Sequence, residues 1–99
     1  MSKQDSLSTS PLGAAIQGLL ENLGIGKKIR EYDAVLRWNE VVGKKIASVT
    51  EAVQIEKGIL VVRVQNGPWR NELNMLKEEV IGKLNNALGE KLVKDIRFV

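Results

Sequence analysis

Glu51-Ala52-Val53-Gln54-Ile55-Glu56-Lys57-Gly58-Ile59-Leu60-Val61-Val62-Arg63-Val64 is the stretch on which the fold turns. Before it, apolar residues recur every three or four positions, the helical period. Here they alternate or crowd together as β-branched residues, the strand period. Lys57-Gly58 separates the two runs as a turn, so the stretch reads as a hairpin with strands over 51–56 and 59–65. On the second strand Leu60, Val62 and Val64 point one way. Ile59, Val61, Arg63 and Gln65 point the other.

Toward the N-terminus, residues 27–49 read as a helix, with a break near Asp33 as one option. Its apolar face is Val35, Trp38, Val42, Ile46 and Val49. Gly43 lies inside it, where glycine costs about 1 kcal/mol relative to alanine. A close contact with another element would explain it. Gly24-Ile25-Gly26 is a turn, and before it Ser10-Pro11 opens a short amphipathic helix over 11–23. Leu12, Ile16, Leu19, Leu20 and Leu23 form its stripe. Residues 1–10 are polar and read as a disordered leader.

Toward the C-terminus, Asn66-Gly67-Pro68 ends the second strand and starts a helix that Gly89 stops. Trp69, Leu73, Leu76, Val80, Leu84 and Leu88 form its stripe, widened by Met75 and Ile81. A last strand covers 92–99. The order is α-α-β-β-α-β, an α+β domain over 11–99 with a three-stranded sheet and helices mainly on one face. The helix between strands two and three is a right-handed crossover. It makes strand three parallel to strand two, and the simplest place for it is beside strand one.

Composition narrows the chemistry. The 99 residues hold no cysteine and no histidine, so disulfides, thiolate metal sites and the commonest general base are absent. No phosphate loop, dinucleotide fingerprint or nucleophile elbow is present. The carboxylates Glu51, Glu56, Glu78 and Glu79 have no partner arrangement that would make an acid–base pair, and read as solvated. An enzyme is not expected, nor a cofactor, a metal or a small-molecule substrate. No apolar run is long enough to cross a membrane and no secretion signal is visible, so the cytoplasm is the expected location.

The net charge of +3 is concentrated in residues 27–50, where six basic residues face three acidic ones. Arg30, Arg37 and Lys44 fall on one face of a continuous helix, but Asp33–Arg37 and Glu40–Lys44 are i,i+4 pairs that would neutralise much of it. Lys27, Lys28, Lys44 and Lys45 remain as electrostatic candidates for nucleic acid. Trp38 reads as core. Trp69, in the first turn of its helix, reads as core edge or contact residue, with Arg70 beside it. The outer sheet face would carry Ile59, Val61, Val93 and Val99 with Arg63 and Arg97, an apolar patch suited to a protein partner. Helix one crossing over that face is the alternative.

Leu36-Arg37-Trp38-Asn39-Glu40-Val41-Val42-Gly43 resembles the W-x-x-V-V-G signature of the DciA family. Lys57-Gly58-Ile59-Leu60-Val61-Val62-Arg63-Val64, Trp69-Arg70-Asn71-Glu72-Leu73 and Ile96-Arg97-Phe98 follow in that family's order. The resemblance covers residues 12–99. It implies a KH-like domain and a bacterial role in recruiting or loading the DnaB-type replicative helicase at DNA replication initiation, with single-stranded DNA as a further partner. The G-x-x-G loop of nucleic-acid-binding KH domains has no counterpart at Gly24-Ile25-Gly26 or Gly43-Lys44-Lys45-Ile46. Many relatives also carry a basic extension, whereas about ten polar residues precede the domain here. The weight therefore falls on protein contact, through Ile59, Val61, Arg63, Val93 and Arg97. A stand-alone nucleic-acid-binding protein and a module self-associating through the sheet face are the other readings.

Overall fold

The computed structural model describes residues 10–99. The expected leader lies, but for Ser10, outside the described residues. Ser10 Oγ accepts from Gly13 N at 2.9 Å and starts α1, Pro11–Leu23. Gly24, with φ +76°, ends α1 and is immediately followed by α2, Ile25–Val42. After Gly43 comes the single turn α3, Lys44–Ala47. The hairpin is β1, Thr50–Glu56, and β2, Ile59–Val64. Two helices follow, α4 over Gly67–Met75 and α5 over Lys77–Leu88, and β3 closes the fold at Asp95–Phe98. At the level of helical and extended stretches this is the expected α-α-β-β-α-β order, with two stretches interrupted.

The interruptions differ in origin. Gly43 has φ +87° and ψ 166°, a region that only glycine occupies comfortably. It ends α2, and a Cβ there would meet nothing within 4 Å. The expected close contact is therefore wrong: the backbone requires this glycine. Between α4 and α5, Leu76 has φ −95° and ψ 3°, and its N–H is shared between the carbonyls of Glu72 and Leu73. No glycine or proline marks that break, and it leaves Met75 exposed rather than on the core stripe.

The sheet order is β1-β2-β3, with β1 antiparallel and β3 parallel to β2. The expected place of strand three beside strand one is thus corrected. The chain leaves β2, returns through α4 and α5, and pairs β3 directly with β2, which becomes the central strand. Strand β1 carries a bulge at Val53, between the Ala52–Val62 and Gln54–Val61 pairs. Strict alternation would send Ala52 and Ile55 to opposite faces. The extra residue brings both to the core and leaves Val53 outside.

The core lies between one face of this sheet and the helices. Leu60, Val62, Val64, Ile96 and Phe98 from the sheet meet Ala34 and Trp38 of α2, Leu73 of α4, and Val80 and Leu84 of α5. Helix α1 makes its contacts with α2, so among the described residues no helix covers the outer sheet face. Val93 departs from its expected place. It is 2% exposed, because Asn85 of α5 holds both of its backbone groups: Nδ2 donates to Val93 O at 2.9 Å and Oδ1 accepts from Val93 N at 2.8 Å. That clasp turns Val93 to the helix side and delays β3 until Asp95.

The hairpin turn is pinned by a buried carboxyl group. Lys57 and Gly58 both have positive φ, as the favoured two-residue hairpin turn requires. Glu31 of α2, 5% exposed, accepts from Gly58 N at 2.7 Å. Gly58 O in turn accepts from Lys94 N at 2.8 Å. A Cβ on Gly58 would stand 2.9 Å from Lys94 Cγ, so glycine is needed for space as well. Replacing Glu31 by alanine leaves a buried N–H unpaired. Urea unfolding of Glu31→Ala should show a loss of about 1–3 kcal/mol, while Glu31→Gln, which keeps an acceptor oxygen, should lose less.

Candidate contact surfaces

Trp38 projects from α2 into the core and is 1% exposed. Its indole N–H needs an acceptor there. It donates to Thr50 Oγ1 at 2.8 Å, and Thr50 donates onward to Ile46 O at 2.7 Å. One hydroxyl thus ties the end of α2, the turn α3 and the start of β1. Gly43 ends α2, and α3 then faces the start of α4.

The space between them is a groove of about 620 Å³, within the usual range for ligand sites. Its walls are Val42, Gly43, Lys44, Lys45 and Ile46 on one side and Pro68, Trp69, Glu72 and Leu76 on the other. Asn66 Oδ1 caps α4 by accepting from Trp69 N at 2.9 Å, which fixes the tryptophan at the groove edge. The ring is half-buried, and Lys45 Nζ lies 5.9 Å from its centroid, at the outer limit of a cation–π contact. Lys44 and Lys45 are exposed and form no ion pair among the described residues. The break at Gly43 separates Lys44 from Glu40, so the expected i,i+4 pair does not form.

The other basic residues are differently employed. Asp33–Arg37 forms at 3.2 Å, and Arg37 Nη1 also donates to Ala87 O at 2.8 Å. Arg30 bridges Glu21 at 3.0 Å and Glu90 at 2.9 Å; Glu90 first and Glu21 second push its guanidinium pKa still higher. These two arginines hold helices together. Lys27 and Lys28 sit far up α2, at a separate depression shared with Glu31, Tyr32 and Gln54. Seventeen residues of largely helical chain, on the order of 25 Å, separate them from Lys44 and Lys45. Arg70 lies outside the groove walls, half-buried, with its Nε covered and without a hydrogen-bond partner.

On the outer sheet face, Ile59 and Val61 are half-buried and Arg63 and Arg97 exposed. Val61 pairs across the sheet with Gln54 and Arg97. Arg63 is bound to Glu51 at 2.7 Å, whereas Arg97 has no ion pair among the described residues. With Val93 turned inward, the patch is smaller than expected. Sequence reasoning missed Glu31, whose burial depends on a hairpin 27 residues away, and missed that Lys44, Lys45 and Trp69 share a groove. No helix among the described residues is long and apolar enough to cross a membrane, and no cluster of metal-ligating side chains occurs among them.

The α+β fold thus presents a groove lined by two lysines and an indole, and a sheet face that carries Ile59, Val61, Arg63 and Arg97. The family model described as Dna[CI] antecedent, DciA, matches residues 11–98, and the chain belongs to the DciA family. Similar proteins include a UPF0232 protein of Rhodococcus jostii (strain RHA1), 30% identical over 95% of this chain and 50% of its own length. A UPF0232 protein of Mycobacterium tuberculosis (strain ATCC 25618 / H37Rv) is 25% identical over the same shares. The chain spans about half the length of these curated relatives.

The groove depends on the backbone at Gly43. Gly43→Ala should lower stability by about 1–3 kcal/mol in urea unfolding. An unchanged midpoint would show that the helix end tolerates a side chain.

Proposed function

We propose that this chain is a non-catalytic contact module that assists loading of a DnaB-type replicative helicase, and that it meets single-stranded DNA in the Lys44–Lys45–Trp69 groove. The observation that carries the DNA part is the pairing of two lysines, free of ion pairs among the described residues, with a half-buried indole. Single strands are held by that combination: cations track the phosphates and an aromatic ring stacks a base. Lys45 would leave the ring for a phosphate as a base arrives. Glu72 on the opposite wall opposes phosphate and keeps the affinity modest. Family membership supports the helicase part. The mechanism is preferential binding to one state of the ring, since no group in the groove is placed for bond chemistry.

The open sheet face supports a second contact. Arg97 beside Val61 and Ile59 is a cation with no ion pair among the described residues, on an apolar strip, which suits a protein surface better than a flexible strand. The helicase is assigned to this face and DNA to the groove.

Fluorescence titration with a short oligothymidylate tests the assignment. Lys44→Glu with Lys45→Glu should weaken binding at least tenfold and flatten its salt dependence. Glu72→Gln should tighten it. Capture of purified replicative helicase should survive those changes and fall with Arg63→Glu and Arg97→Glu. DNA binding indifferent to the lysine pair would refute the groove assignment, and helicase capture indifferent to the arginine pair would refute the sheet-face one.

A further inference from the structure

The two N-terminal helices leave an apolar surface that neither the groove nor the sheet face uses. On α1, Leu12, Ile16, Leu19 and Leu23 lie at steps of four, three and four residues. On α2, Ile25, Ile29, Tyr32 and Leu36 repeat the same steps. That is the 3.5-residue seam of helices that pack side by side. All eight side chains are between 41% and 70% exposed. Two seams of equal length and identical spacing therefore stand open on adjacent helices of one chain.

They cannot cover each other within the chain. Antiparallel helix pairs need a connection of about two to five residues, and here Gly24 alone joins Leu23 to Ile25. Beside this joint Glu21 and Arg30 are locked at 3.0 Å, and a Cβ on Gly26 would stand 2.9 Å from Glu21 Oε1. The joint is tight and braced, so α1 projects instead of folding back. The long axis of 52 Å, against 28 and 18 Å, and a radius of gyration of 16.0 Å fit that projection; a compact chain of this length would have about 13 Å.

We infer that the occupant is a second copy of this chain, with α1 of each protomer laid along the α2 seam of the other. A two-fold axis makes both contacts at once, since each copy offers one seam of each kind. At these exposures the eight residues present on the order of 800 Å² per copy, about what one partner contributes to a standard-sized interface. The groove and the outer sheet face remain open in such a dimer, so the pairing is independent of the functional reading above.

Sedimentation equilibrium on the full chain reads the outcome. The native chain should run at twice its 11.0 kDa mass at tens of micromolar. Leu19→Glu and Ile29→Lys, both at exposed positions, should each give a folded monomer, with a native circular-dichroism spectrum and a thermal midpoint that no longer rises with protein concentration. Mixing the two variants should restore the dimer, because the introduced carboxylate on one α1 would then face the introduced ammonium on the other copy's α2, while the second contact is native. A native chain that stays monomeric at several hundred micromolar overturns the proposal. So does a dimer that survives both substitutions. A monomeric native chain whose Leu19→Glu variant loses helicase capture would assign the seam to a different partner and also overturn it.

Discussion

The Trp38 indole is almost completely enclosed, and enclosure obliges its N–H to find an acceptor inside the fold. Thr50 supplies it and passes the constraint to Ile46 O, at 2.8 Å and 2.7 Å. The relay fixes where α2 may end, because the chain must leave the helix within a few residues for Thr50 to reach the indole N–H. Gly43 ends the helix in a conformation closed to other residues. The groove is a by-product of this geometry: the turn that serves the core holds Lys44, Lys45 and Ile46 opposite Trp69. The tryptophan and glycine of the family signature are thus structural, and the lysines that follow inherit their position from them.

A division of labour among the charged residues follows. Arg30, Arg37 and Arg63 are each committed to carboxylates, and Arg37 also to a backbone carbonyl. Glu31 is committed to the hairpin turn. The net charge of the second helical region therefore overstates what a partner would meet. Within residues 27–50 the cations without an ion pair among the described residues are Lys27 and Lys28 near the start of α2 and Lys44 and Lys45 in α3, and of these Lys45 lies within cation–π reach of an aromatic ring. That distinction, not overall basicity, favours the groove for nucleic acid.

Much of this was legible in the sequence where the physics is local. The hairpin is written in alternation and in Lys57-Gly58, and Trp38 shows itself as core by sharing a stripe with Val35 and Val42. The family was legible for the same reason, since its signature residues are contiguous. What escaped depends on distant partners. Asn85 turns Val93 inward, Glu31 is buried by a turn far along the chain, and the place of β3 beside β2 is a matter of crossover geometry. The bulge at Val53 and the break at Leu76 carry no glycine or proline to announce them. The stripe of α1 was plain, but its period says only that the face is apolar, and not what covers it.

Backbone amide mapping by NMR on the labelled chain tests the central claim, that the Trp38 clamp builds a groove for single-stranded DNA. On addition of a short oligothymidylate, the largest shifts should fall on the Trp69 indole and on the amides of Lys44, Lys45 and Ile46. The Trp38 indole should stay in place, held by Thr50. Shifts centred on Val61 and Arg97, or on Lys27 and Lys28, would contradict the account, as would a Trp38 indole that moves while Trp69 does not.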